Sequence, residues 1–253
     1  MKPNERQLII MDILHQEGKI SVKELVTLFA ISAETIRRDL NALSRAGKLQ
    51  KTHGGGILPR LIGEGPFQQR LSENVAAKRE IAKRSAALIL PGDTLFIDTG
   101  STTLCFAEEL VQIDDLTVIT NSCDIAKILG SNPTSQVFLL GGAYHADNHE
   151  TTGPLAIEQI SKFQANTSVL TIGGIHSEAG LTDYNVDEAL IAQAMIKQSE
   201  KVIILADSTK LNQITPFKVA SLAEIDTLVC EAEPDANLKK SLTNNHIKWT
   251  NND

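Results

Sequence analysis

From residue 94 onward, short apolar runs alternate with segments of helical periodicity. This alternation constrains the fold more tightly than any other feature of the chain. "TLFID" leads to "TTLCFAEEL", "LTVIT" to "DIAKILG", "QVFLLGG" to "LAIEQI" and "TSVLTIGG" to "VDEALIAQAMIKQ", and "KVIILAD", "DTLVCEA", "DANLKKSL" and "HIKWT" close the series. Strands separated by helix-length segments cannot pair as tight hairpins. They pair in parallel with helices over the faces, which predicts an α/β fold with a mostly parallel sheet.

In open sheets of this kind, ligands bind beyond the carboxyl ends of the strands. Those ends carry small and polar residues here: Asp98-Thr99-Gly100-Ser101-Thr102-Thr103, Thr120-Asn121-Ser122, Gly141-Gly142, Gly173-Gly174-Ile175 and Asp207-Ser208-Thr209-Lys210. Gly100 permits a turn, and the N–H groups and hydroxyls of Ser101, Thr102 and Thr103 converge where a helix begins. An anion is stabilised at such a point by the helix dipole. Lys210 adds a cation, Asn121 can bond a sugar hydroxyl or carbonyl, Asp98 can accept from a hydroxyl, and the glycine pairs let a ligand lie close to the backbone. Together these residues suit a small phosphorylated polyol. An aldose–ketose isomerase is the alternative, and it needs a carboxylate beside the substrate carbonyl. Asp98, Asp183, Asp187 and Glu188 are candidates but form no catalytic pattern, so no catalytic residue is assigned.

The net charge of −7 hides an asymmetry. Residues 1 to 60 hold ten Lys/Arg against six Asp/Glu, net +4, and the remainder holds fourteen against twenty-five, net −11. A basic module that meets an acidic polymer, joined to an acidic body with another task, accounts for this. In the basic part, Ile9, Ile10, Ile13 and Leu14 share one helix face. Ser21 and Glu24 fit a capping box ahead of Val22, Leu25, Val26 and Phe29. Ser32 then caps a third helix with Ile36, Leu40 and Leu43 along one stripe. At about 100° per residue, Arg38 points away from that stripe, flanked by Glu34, Arg37 and Asn41, with Thr35 at the edge. This is a helix-turn-helix pattern, with the polar face of the third helix entering the major groove of DNA. "KLQKTHGGGIL" follows and suits a two-stranded wing, with Lys48, Lys51 and His53 near the phosphate backbone. Ser21, Ser32, Glu34, Thr35, Arg37, Arg38, Asn41, Lys48, Lys51 and His53 are therefore the expected DNA contacts.

"TIRRDLNAL", then Gly47, Lys48-Leu49 and "KTHGGG", resembles the N-terminal signature of the DeoR/GlpR family of bacterial transcriptional regulators. Residues 72 to 250 resemble the DeoR-type sensor domain through D-T-G-S-T-T, T-N-S, L-G-G, G-G-I, E-A-x-x-x-x-A-M-I and D-S-T-K. The resemblance implies a winged helix-turn-helix domain over 1–58, a linker over 59–75 and an α/β sensor domain over 76–253, the last similar to ribose-5-phosphate isomerase and CoA-transferase-like folds. It implies a repressor of a sugar or sugar-derivative operon, induced by a phosphorylated sugar, acting as a homo-oligomer (dimer or tetramer) on double-stranded operator DNA. Two departures bear on the ligand: Ala192 stands where the family often has a lysine, and "TKLN" keeps Lys210 but loses the following phenylalanine and glycine.

Other readings are excluded or set aside. No apolar run approaches the roughly 18 residues of a membrane span, and "MKPNERQLII" lacks a signal core, so a cytoplasmic placement is expected. Cys105, Cys123 and Cys230 are scattered and read as free thiols. "YHADNHE" offers His145, Asp147, His149 and Glu150 to a metal or a sugar hydroxyl, but its loop-forming residues favour a solvated loop. No cofactor and no metal are expected.

Overall fold

The computed structural model describes residues 3–45, 49–52, 54–57 and 64–250. Two compact units divide the chain, Met1–Ile62 and Gly63–Asp253. The first runs α1 (Pro3–Glu17), β1 (Lys19–Ser21), α2 (Val22–Phe29), α3 (Ala33–Arg45), β2 (Gln50–Thr52) and β3 (Gly55–Ile57). Ile10, Leu14, Ile20, Leu25, Ile36, Leu40, Leu43 and Leu49 form its core. Each helical face read from the sequence supplies its apolar stripe to this cluster, except that Ile9, expected on the α1 face with Ile10, Ile13 and Leu14, is 38% exposed and stays outside it.

The α2 start carries the expected capping box: Glu24 N–H donates to Ser21 Oγ and Ser21 N–H donates to the Glu24 carboxylate, both at 3.1 Å. Ala30 ends the helix in the left-handed region, at φ 50°. The wing differs from the two-stranded expectation. Its sheet has three strands in the order β1-β3-β2, all antiparallel, with Lys19 opposite Ile57 and Gln50 opposite Ile57 on the other side. Three residues are too few to show a period of two, so β1 carried no pattern of its own. Gly55 admits it, because a Cβ there would lie 1.9 Å from the Ile20 carbonyl oxygen.

The second unit runs α4 (Phe67–Ser72), α5 (Val75–Ala86), β4 (Thr94–Ile97), α6 (Ser101–Leu110), β5 (Thr117–Thr120), α7 (Cys123–Leu129), β6 (Gln136–Leu139), β7 (Ala143–His145), β8 (Glu150–Thr152), α8 (Pro154–Ile160), β9 (Ala165–Thr171), β10 (Gly174–His176), β11 (Gly180–Asp183), α9 (Val186–Lys197), β12 (Ser199–Leu205), β13 (Phe217–Ala220), β14 (Thr227–Val229), α10 (Ala236–Asn244) and β15 (Lys248–Thr250). Seven strands form one parallel sheet in the order β15-β14-β12-β9-β4-β5-β6. Alternate side chains of these strands feed two separate cores. Leu95, Ile97, Val118, Val169, Ile203, Leu205 and Val229 pack against α5, α6 and α7. Phe96, Ile119, Leu170, Val202, Ile204 and Leu228 pack against α8, α9 and α10. The period of two that defines a strand thus sorts the residues into the three layers of an α/β/α sandwich.

Two features lay outside the sequence reading. Residues 67–72, within the stretch read as linker, form α4, anchored by buried Phe67. The connections also carry antiparallel additions, a β7-β8 hairpin and a β10-β11-β13 sheet. Among the described residues no helix is long and apolar enough to cross a membrane. The three cysteines are free.

Gly55→Ala should destabilise the first unit by about 2 kcal/mol or more, the cost of forcing an extra methyl into packed backbone, as read by denaturant unfolding. Wild-type stability would contradict the close approach of β3 to β1.

Candidate functional site

In the first unit, the exposed side of α3 is set by its own cap and by a buried ion pair. Ser32 Oγ accepts the Thr35 N–H at 3.2 Å and lies 2.9 Å from Thr35 Oγ1, so both hydroxyls fix the helix start. Arg6 Nε donates to Asp39 Oδ2 at 2.5 Å, with both residues buried, and Gln7 Nε2 donates to Asp39 Oδ1 at 3.3 Å. Asp39 therefore fastens α3 to α1 and fixes which face turns outward. On that face the Arg37 and Arg38 side chains are 60% and 79% exposed, with Glu34 at 3.9 and 3.7 Å from them. Asn41 is half-buried beside them and Lys51 of β2 is exposed. Ser21 Oγ accepts the Glu24 N–H at the α2 cap and its hydroxyl bonds the Glu24 carboxylate. Lys48 and His53 lie outside the described residues. Arginines on the free face of a capped helix, beside a β-wing, match the geometry that reads base edges in the major groove.

In the second unit, β4 delivers Asp98 to its carboxyl end. The Thr171 N–H donates to both Asp98 oxygens, at 2.9 and 3.1 Å, tying β4 to β9. Burial pushes the Asp98 carboxyl well above its ordinary pKa, and nearby Asp183 and Glu188 add to the effect. Thr99 is buried behind it. Gly100 precedes α6 in an extended conformation, and a Cβ there would lie 2.3 Å from Thr171 Oγ1. No side chain caps α6, so its first-turn amides and dipole are left to face whatever enters. Ser101 and Thr102 line a cavity at this point. Thr103 turns inward instead, its hydroxyl donating to the Asp98 and Gly100 carbonyls at 2.9 and 3.1 Å.

The same cavity is lined by Arg70, Lys78, Lys210, Glu64 and Asp207. Lys210 was legible from the sequence; Arg70 and Lys78 were not, because they sit among ordinary helical charges in α4 and α5. The Arg70 side chain is 11% exposed and Lys78 is 4% exposed. Burial lowers the Lys78 pKa, while Asp207 raises it. Lys78 Nζ bonds the Arg70 carbonyl, and Glu64 pairs with Arg70 and with Lys210.

Beyond the cations lies an acidic, amide-rich wall. Asn121 Nδ2 donates to Glu150 Oε2 at 3.2 Å, and its buried Oδ1 has no protein partner. Asn148 Nδ2 donates to Glu150 at 3.1 Å and to Glu188 at 3.0 Å, and Asn185 Nδ2 donates to Glu188 at 3.1 Å. Burial, then the charges of Glu150 and Asp183, push Glu188 up to about 9. Burial pushes Asp183 up to about 6 and raises Glu150 as well. The carboxylates Asp98, Asp183 and Glu188, scattered in the sequence, are thus neighbours, whereas Asp187 serves the α9 start, its N–H bonding Asn185 Oδ1 at 2.9 Å.

The glycine pairs answer to backbone packing. A Cβ at Gly142 would lie 2.4 Å from the Thr152 carbonyl oxygen, and one at Gly174 would lie 2.5 Å from that of Gln213. The Gly141 N–H bonds Gln159 Oε1 at 3.0 Å. None of these three glycines lines the cavity. In "YHADNHE", His145 Nε2 lies 2.9 Å from Thr152 Oγ1 and His149 Nδ1 lies 2.8 Å from Asp124. Asp147 is exposed and Glu150 faces Asn121. Among the described residues, no three His, Cys, Asp or Glu side chains are placed to hold a metal ion.

Known proteins resemble this chain in both units. Residues 6–60 match the DeoR-like helix-turn-helix domain and residues 73–232 match the DeoR C terminal sensor domain. The glycerol-3-phosphate regulon repressor of Escherichia coli (strain K12) is 30% identical over 248 residues, 98% of each chain. The regulator GolR of Listeria innocua is 34% identical over 232 residues, 91% of each chain. Ribose 5-phosphate isomerase A from Methanocaldococcus jannaschii aligns in structure with 55% of each chain, at 14% identity and a TM-score of 0.41.

Since the folded protein holds the Glu188 proton at pH values where the unfolded chain has released it, this group's contribution to stability falls as pH rises from about 4.5 to about 9. Glu188→Gln should flatten that slope and stabilise the protein near pH 8 by more than about 1 kcal/mol. Urea unfolding near pH 6 and pH 8 measures it. A slope equal to wild type would contradict the burial of the acidic wall.

Proposed function

We propose, since this chain belongs to the DeoR family of DNA-binding transcriptional regulators, that its second unit binds a phosphorylated sugar or polyol and that binding releases the operator. On this reading the chain is a repressor rather than an enzyme, as the name of the Escherichia coli relative has it. The observation that carries the effector reading is the gathering of Arg70, Lys78 and Lys210 around the uncapped start of α6. Buried cations at a helix N-terminus attract a multiply charged anion through both point charges and oriented amides. The wall of Asn121, Asn148, Glu150, Asp183 and Glu188 next to them supplies acceptors and amides for hydroxyls, and a protonated Glu188 can donate as well. An anionic head with a hydroxylated tail suits both halves. The name of the Escherichia coli relative carries a phosphorylated polyol of this class.

On DNA, Arg37 and Arg38 of α3 are the base-reading side chains, with Ser32, Thr35, Asn41 and Lys51 as phosphate or base partners and Glu34 orienting the arginines. A homo-oligomer in the cytoplasm would present two such helices to half-sites at fixed spacing. An effector bound more tightly by the form that does not hold DNA shifts the population towards that form, by as much as its differential affinity allows. Asp98 and Thr103 hold the phosphate loop in shape, while Ser101 and Thr102 face the ligand.

Arg38→Ala should weaken binding to a specific operator by about tenfold or more, the worth of one bidentate base contact, while leaving release by effector intact. Unchanged operator affinity in a gel-shift titration would contradict the role of α3. Lys210→Ala should retain operator affinity and lose release across a panel of phosphorylated sugars. Release at wild-type concentrations would contradict the anion site.

A further inference from the structure

The cation cluster already holds a carboxylate from its own chain. Glu64 gives Oε2 to Arg70 Nη1 and Oε1 to Lys210 Nζ, and its side chain is only 19% exposed. One oxygen on each of two cations imitates two of the oxygens of a phosphate group. Of the other acids lining the cavity, Asp207 gives no oxygen to Arg70 or Lys210: its Oδ1 accepts the N–H and hydroxyl of Thr209 and its charge acts on Lys78, while Glu73 Oε1 accepts the Gln69 amide. Glu64 reaches the cations because Gly65 turns the chain at φ +82° and the Pro66 carbonyl then starts α4, accepting the N–H of Gln69 and of Arg70 itself. It is also the second residue of the second unit, which begins at Gly63, directly after the unit that carries α3.

We propose that Glu64 is a built-in competitor for the anion site, so that an effector's phosphate must displace its carboxylate from Arg70 and Lys210. This rests on the reading of that cluster as the effector's anion site. The exchange leaves no buried cation without a counter-charge. A phosphate carries about −1.5 to −2 charge near neutral pH and three acceptor oxygens, whereas a carboxylate carries a single charge. Glu64 therefore selects for doubly charged anions and sets the concentration at which they enter.

The full chain is titrated with inorganic phosphate and its melting temperature followed, giving an apparent affinity from the concentration dependence. If Glu64 occupies the site about nine-tenths of the time, Glu64→Gln should bind phosphate about tenfold more tightly than wild type. Glu64→Ala should shift in the same direction, which covers any residual hold by the glutamine amide oxygen. Wild-type or weaker affinity in both variants overturns the proposal. Lys210→Ala separates the two levels. If it loses phosphate binding while the Glu64 variants match wild type, the competitor fails and the site stands; if it binds phosphate as wild type does, the site reading fails and the competitor with it.

Discussion

A cation removed from water must be supplied with an anion, and the second unit brings three cations to one place. Arg70, Lys78 and Lys210 come from α4, α5 and the turn after β12, and they meet at the uncapped start of α6. Removing one partner of such a set leaves a charge uncompensated, a cost of several kcal/mol in a buried setting. The cluster is therefore held by acids of the chain itself, Asp207 acting on Lys78 and Glu64 paired with Arg70 and Lys210. Much else in the unit follows from holding this place open. Asp98 ties β4 to β9, Gly100 leaves no room for a side chain beside Thr171, and Thr103 turns inward to brace the loop rather than outward to the ligand.

The acidic wall is the counterpart of the cations. Burial raises the pKa of Asp183 and Glu188, helped by the charge of Glu64 at Asp183 and by those of Glu150 and Asp183 at Glu188. In an isomerase such groups could serve as acid and base. In a regulator they can recognise hydroxyls, since a protonated carboxyl donates as well as accepts.

The sheet was legible in the sequence because parallel strands buried on both faces must be apolar runs of fixed length, as "TLFID" and "KVIILAD" are. The three helices of the first unit were legible because their stripes recur at helical spacing and their caps are chemically marked by Ser21 with Glu24 and by Ser32. β1 and the antiparallel additions were not, because strands of three or four residues show no period. In the site, the loop from Asp98 to Thr103 and Lys210 stood out as polar residues following a strand. Arg70, Lys78 and Glu64 did not, since a charge on a short helix or before it looks solvated until tertiary packing buries it. The same holds for Asp39, which is buried on the side of α3 that meets Arg6. Gly142 and Gly174 also satisfy backbone contacts that no local pattern reveals.

The central claim is that a phosphate group binds at the start of α6 among these cations. A crystal structure of the chain soaked with a phosphorylated sugar tests it directly. The account predicts phosphate oxygens within hydrogen-bond distance of the Ser101 and Thr102 amides, Arg70 and Lys210, with the Glu64 carboxylate moved away and the sugar hydroxyls toward Asn121 and Glu188. A phosphate bound elsewhere, with Glu64 still bridging Arg70 and Lys210, would contradict it.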